Sequence, residues 1–440
     1  MLYSPSVKSL FFIFLLGFAS ALGWASQAQN FGLDAESTGR VGSVTAEVDN
    51  AYSALFNPAL LAAKSQKSFA FSTSQTQVQF NELGSIVLPR SQRRSDEPEK
   101  GNVQIPAINQ TRWSLGFNYP VFLKSVSRKA GFGFALSGPY EKLRGFEAHA
   151  PDDFFSMRYG TADAQFKGTV SAALEIIPQK LFLGGGASLF LSGMGTAETR
   201  ISDSPSSRLN MNVVLETAPV IGLYSQLGNS ATALTYHQKI DPKFEQDLTA
   251  RIQFSGRDTF YQPLLMKSSL YFEPESVEWD WQQRFEVMSL TVGVSYQFWN
   301  AYQAPVLFTE TEDFLGGKLR TQGGGTQTRN TVNPRASVSL PISRTLKTAV
   351  GYQYRPTPLT DVSGASNALD SDTHIWGLSV QKTFPTSWVS ETPLTFGVFG
   401  QLHKITAREV QKTVPEVSGG PGFNYSGNAY LVGVSAQADF

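Results

Sequence analysis

Side chains able to do chemistry are few in this sequence, and they are dispersed. The four histidines, His149, His237, His374 and His403, fall at no spacing that would gather metal ligands. No H-E-x-x-H, G-x-S-x-G, G-x-G-x-x-G or phosphate-loop string occurs. There is no cysteine, which excludes a disulfide framework, a thiolate metal site and a Cys nucleophile. The densest grouping, Asp370, Asp372 and His374, has a D-x-D-x-H spacing that could offer ligands to a cation such as Ca²⁺. Its favoured reading is a solvated loop entering a strand. Glu273, Glu275, Glu278 and Asp280, interleaved with Trp279 and Trp281, read as a polar loop above an aromatic girdle. A lipopolysaccharide contact through bridging cations is the alternative. Arg90, Arg93 and Arg94, followed by Asp96, Glu97, Glu99 and Lys100, read as another solvated loop. A barrel lipase or protease needs a nucleophile–base pair or an Asp/His dyad near its rim, and no such pair is signalled. The expectation is a protein that is not an enzyme, with no catalytic residue, no cofactor and no metal.

What would position such scattered groups is set by composition. The chain has 440 residues, and 36 Lys+Arg balance 36 Asp+Glu. Nucleic-acid binding needs a basic excess to neutralise phosphates, so that class is excluded. Charged residues make up 16% where a soluble domain carries about 25%. Only 41% is hydrophobic, yet 32 Phe, 15 Tyr and 7 Trp argue against disorder. Residues 1–28 have the parts of a secretory signal: Lys8, an apolar run from Leu10 to Phe18, and small residues for cleavage after Ala25 or Ala28. Residues 1–25 are therefore expected to be removed on export.

Beyond that segment no apolar stretch of 18 residues follows, so membrane helices are not expected. Apolar and small or polar residues alternate instead. Trp113, Leu115, Phe117 and Tyr119 interleave with Ser114, Gly116 and Asn118; Phe132 and Phe134 interleave with Gly131 and Gly133. Gly293–Gln297, Gly377–Gln381 and Gly433–Gln437 each place Gly, Ser and Gln on one parity and apolar residues on the other. Such two-faced strands suit a wall between lipid and a polar lumen, and in lipid only a closed barrel satisfies their backbones. A secreted sandwich or propeller would show more Lys and Glu outside. The last strand carries Tyr430, Val432, Val434 and Phe440 on one parity, and it is expected to close the barrel against the first. The fold class is thus all-β, a transmembrane antiparallel barrel over 67–440.

Residues 26–66 lack this alternation, and Val48–Phe56 could form a short helix ending before Asn57-Pro58. With Gly39-Arg40-Val41-Gly42, Glu47 and Asp49-Asn50, and Asn57-Pro58-Ala59, this segment resembles the N-terminal hatch of the outer-membrane long-chain fatty acid and hydrocarbon transporters, the FadL/TodX-like family. The chain departs from that pattern at Asn50 and at Leu60. Thr217–Tyr224 with Ala233–Ile240, Gly351–Pro358 with Asp370–His374, and Gly427–Phe440 are similar to later units of the family, in the same order.

The resemblance implies a barrel of about 14 strands with a small helical hatch in its lumen, in the outer membrane of a Gram-negative bacterium. It implies passive uptake of hydrophobic compounds, long-chain fatty acids or related lipids and aromatic hydrocarbons, captured among outer loops and released by hatch movement. Hatch residues would be Gly39, Gly42, Asp49, Asn57, Pro58 and Ala59. Ligand contacts are assigned to Phe146, Phe154, Phe155, Leu189, Phe190 and Leu191, with Arg158 or Lys167 for a carboxylate. Expected partners are outer-membrane lipid and lipopolysaccharide, the hydrophobic ligand, and the barrel assembly machinery, with the protein a monomer. A general porin and a secretion or assembly partner are the alternatives.

Overall fold

The computed structural model describes residues 28–440 except 49, 96, 141–148, 151, 160–166, 202–205, 255–256, 270–271, 305–307, 313–317, 321–324 and 386–391. The signal segment, Asp49 and Phe146 lie outside the described residues, as does the side chain of Leu191.

The alternation builds a closed wall. Its first seven strands are β1 (Ser68–Phe80), β2 (Ile108–Leu123), β3 (Arg128–Pro139), β4 (Lys167–Ile177), β5 (Leu181–Ile201), β6 (Ser206–Leu227) and β7 (Ser230–His237). The other seven are β8 (Glu275–Arg284), β9 (Ser289–Phe298), β10 (Thr331–Pro341), β11 (Leu346–Arg355), β12 (Thr373–Phe384), β13 (Leu394–Gln411) and β14 (Gly422–Asp439). Each pairs antiparallel with the next, and β14 returns to β1 with Ser68 opposite Asp439 and Phe80 opposite Gly427. The result is the expected 14-stranded antiparallel barrel.

One parity of each strand faces outward. Val350, Leu378, Val398, Val432 and Val434 stand exposed, while Gly377, Ser379, Gln401 and Leu431 are buried inside. Between the outward rings Tyr430 and Phe440, strand β14 and the residue after it run about 34 Å at ~3.4 Å per residue. Tilted by ~40°, that gives an apolar band about 25 Å tall, the height of a lipid core facing a barrel. The two ends differ. Short connections at 124–127, 178–180, 228–229, 285–288 and 342–345 close one end; long connections crowd the other. At the long-loop end β5 and β6 project beyond their neighbours, and Lys243–Phe254 adds to β5 in parallel.

The acidic run around Glu275 is a correction to the sequence reading. It lies largely within β8, not in a loop, and Asp280 is buried on the inward parity while Trp279 faces out. Inside a lumen, acids alternating with tryptophans mimic an exposed polar loop.

Residues 28–64 occupy the lumen as four short helices: α1 (Ala28–Phe31), α2 (Ala35–Gly39), α3 (Ser53–Phe56) and α4 (Leu60–Ala63). Asp34 caps α2, accepting from the Ser37 N–H at 2.9 Å. Gly42 supplies the turn after it with φ +80°. Helix α3 is shorter than expected because the Asn50 side chain accepts from the Tyr52 N–H at 2.6 Å, a local turn that competes with helix. It stops at Asn57, held extended by the proline that follows. Among the described residues no helix is long and apolar enough to cross a membrane.

Candidate functional site

The lumenal segment touches the wall around its whole circumference, in two chemically different halves. Toward β2–β7 the contact is apolar packing pinned by hydrogen bonds from Ser114, Asn118 and Ser171: Tyr52, Leu55, Phe56, Leu60 and Leu61 pack with Ala135, Ala173, Phe182, Tyr224 and Ala233. Small inward residues permit this approach. A Cβ on Gly116 would stand 2.7 Å from the Ala51 carbonyl oxygen, and one on Gly184 would strike the Pro58–Ala59 peptide. Asn57-Pro58-Ala59 is therefore seated on bare backbone of β5 and β6. Asn57 is fully buried; its amide donates to Thr45 O at 2.8 Å and Leu223 O at 3.3 Å, and its oxygen accepts from Ala59 N at 3.1 Å.

Toward β8–β12 the contact is a buried ionic network that sequence reasoning did not find. Arg40, 1% exposed, pairs with Glu36 at 3.0 Å and with Glu47, and donates to Ser337 and Thr291. Glu36 also takes Lys347 at 2.9 Å and Gln381 at 2.7 Å. Asp280 accepts from the Thr45 hydroxyl at 2.7 Å and pairs with Arg335 at 3.0 Å; Arg335 reaches Glu278 at 2.9 Å. Gly39 and Gly42 stand inside this half, Gly39 against Ser379 and Gly42 near Arg335.

Above the lumenal segment, at the long-loop end, lies an apolar cluster including Phe31, Phe80, Ile105, Phe155, Met157, Tyr159, Phe272, Trp299, Leu359 and Phe423. Phe155 is buried there, stacked on His149 at 5.6 Å, and Phe154 packs edge-on against Phe423 at 5.3 Å. Two buried guanidiniums adjoin it. Arg158 pairs with Asp370 at 2.7 Å and donates to Pro356 O at 2.6 Å, leaving its Nε and second terminal nitrogen unpartnered. Arg355 donates to Asn30 at 2.7 Å and Gln353 at 3.2 Å, and its Nε is unpartnered. Burial raises the Asp370 carboxyl above its ordinary range even with Arg158 opposing the shift.

A hydrogen-bonded chain joins this region to the lumenal segment. The Gln401 amide donates to Thr38 O at 2.7 Å, so its oxygen takes His403 Nε2–H at 2.9 Å. His403 Nδ1 then accepts from the Tyr159 hydroxyl at 2.9 Å, while Phe31 stacks on the imidazole at 4.3 Å. Asn30 donates to Arg158 O at 3.1 Å.

Other assigned residues are dispersed. Phe190 is buried with Ala218 and Ile240, whereas Leu189 is on the opposite, outward parity and so does not line the lumen. Lys167 is buried against Glu273 at 2.7 Å. Tyr430, Val432, Val434 and Phe440 are exposed on the outer wall. Asp370, Asp372 and His374 do not converge. Asp372 accepts from Tyr354 and from Thr357 N, and His374 meets the Tyr352 hydroxyl at 2.8 Å.

Solved structures share this architecture. A FadL homologue of Pseudomonas aeruginosa superposes with a TM-score of 0.62 at 13% identity, over 95% of this chain and all of that one. The P. putida toluene transporter TodX superposes with a TM-score of 0.51 at 11% identity, over 88% of this chain and 94% of its own. No protein-family model matches the sequence, and no curated protein matches it. At these identities the likeness is one of fold.

Proposed function

We propose that this FadL/TodX-type barrel is an outer-membrane channel for hydrophobic compounds, fatty acids or related lipids and aromatic hydrocarbons. The observation that carries the reading is the stacking of an apolar cluster with two incompletely paired guanidiniums directly above a lumen filled by residues 28–64. An apolar ligand gains by leaving water for the cluster, and a carboxylate head would complete the hydrogen bonding of Arg158 and Arg355. Asn30 and Phe31 end the lumenal segment in that same place, so ligand and segment tip compete for the same partners. Displacing the tip loosens the segment, which then acts as the hatch. The filled lumen supports this reading over an open porin.

The test is lipid analysis of the detergent-purified protein together with uptake of a long-chain fatty acid and of toluene by cells. Bound hydrophobic ligand is expected, with uptake lost on deletion of the gene. Deletion of residues 39–59 is expected to alter solute flux in a barrel that still assembles. A purified barrel that holds no lipid, with uptake unchanged in the deletion strain, overturns the proposal.

A further inference from the structure

Strands β7–β10 carry a set of inward polar groups that the network around Arg40 does not use. Thr235, His237, Ser276, Ser295, Thr331 and Asn333 are all buried, and each has a side-chain polar atom without a hydrogen-bond partner; Asn333 has two. Register makes them one surface. His237 lies opposite Ser276, Ser295 opposite Asn333, and Gln297 stands between Ser276 and Thr331. Thr235 faces Glu278, which in turn faces Ser295. One row below, Asp280 accepts from Thr45 and pairs with Arg335, and the three form a floor. One step above, Phe272, Trp299 and Tyr302 form an aromatic cluster with centroids 5.3–5.9 Å apart, and the Trp299 indole donates to Gln297 at 3.0 Å. Buried polar atoms left unpaired are costly, so a ligand group that reached this surface would recover hydrogen bonds that it now lacks.

The charged neighbours pair with one another, so the surface asks for hydrogen bonds and not for countercharge. Hydroxyls, an amide and an imidazole donate and accept equally well. We infer that this surface is a second ligand subsite, which seats an uncharged hydroxyl-bearing group of an otherwise apolar cargo. The inference rests on the channel reading above and assigns the cargo a polar, neutral end distinct from a carboxylate at Arg158.

The experiment compares binding of dodecane-1,2-diol, dodecane and dodecanoate to the full-length protein in detergent. The diol is expected to bind about tenfold more tightly than dodecane, the yield of one or two recovered hydrogen bonds. Asn333→Leu and, as a near-isosteric second variant, Thr331→Val are each expected to reduce that preference several-fold while leaving dodecane binding unchanged. Arg158→Gln is expected to weaken dodecanoate and spare the diol. Equal binding of diol and dodecane, or a preference untouched by both variants, overturns the subsite and leaves the channel. Failure of all three probes to bind overturns the channel reading with it.

Discussion

Arg40 is the residue on which the polar half of the lumenal contact turns. Its guanidinium serves Glu36, Glu47, Ser337 and Thr291 at once, and each of those groups would be left buried without it. Breaking a buried pair by removing one partner costs about 3–5 kcal/mol. The absence of cysteine provides a clean reporter: Ser43→Cys, at a fully buried position, can be labelled only when the segment lifts. Adding Arg40→Gln is expected to speed maleimide labelling about 100-fold or more, since 1.4 kcal/mol is tenfold. Unchanged labelling would show that the network does not hold the segment down. Asp34 makes a prediction of opposite sign. Burial raises its carboxyl to about 6, against Ser37 hydrogen bonds that lower it. A raised folded value means stability present below the ordinary pKa of 3.8 and lost as pH rises through about 6. That is a penalty of about 3 kcal/mol at pH 7, at ~1.4 kcal/mol per unit. Labelling of the reporter, taken at each pH relative to a fully exposed cysteine so that the thiol's own titration cancels, should therefore slow between pH 7 and pH 4, and Asp34→Asn should flatten that slope. Glu36 and Glu47 shift downward, so their protonation falls below this window.

At the scale of elements, the strands were legible and their lumenal contacts were not. Period-two alternation is a local property, so the inward Gly116 and Gly131 and the outward Phe117 and Phe132 can be sorted from sequence by parity alone. The Asn57-Pro58 stop is likewise local. What a wall glycine is for is not local: Gly184 receives residues 58–59, and Asp280 receives Thr45 from 235 positions away. No spacing rule reports such pairs, which is why Arg40 was read only as part of a glycine-bordered motif and β8 as a loop. The wall's small residues yield a prediction about the element they seat. Gly184→Val directs two methyl groups into the Pro58–Ala59 peptide, and overpacking of this kind costs about 1–3 kcal/mol. The barrel should still assemble, because the strand backbone pairs as before. Labelling at a Cys placed at Ala59 should rise about tenfold or more. Gly228→Val, in a turn with open space around it, controls for a general effect and should leave labelling unchanged, with any cost confined to that turn's φ of +61°.

The whole molecule is a boundary between lipid and a packed interior, and its charge-poor composition follows from that. Outward residues between the aromatic rings meet hydrocarbon, inward ones meet the lumenal segment, and charge collects in the interior network and the long connections. This makes tolerance to charge a function of height on the outer wall. Val398 lies opposite Val434, near the middle of the Tyr430-to-Phe440 span, and both are exposed. On the same strand, Ala407 sits beyond Leu402 and Lys404, toward the long-loop end, and a register shift between Ile405 and Arg408 brings it to the same exposed outer face. An Arg at the midplane of a barrel wall costs about 2–4 kcal/mol, falling to about 0–1 at the interface. Val398→Arg should therefore lower the stability of the lipid-inserted barrel by the larger amount and Ala407→Arg by little, measured by reversible denaturant titration in vesicles. In detergent micelles, which deform around a charge, the gap between them should shrink. Equal costs at the two positions in vesicles would mean that lipid does not contact this face, and the barrel would then have to bury its apolar outer band against something other than a membrane.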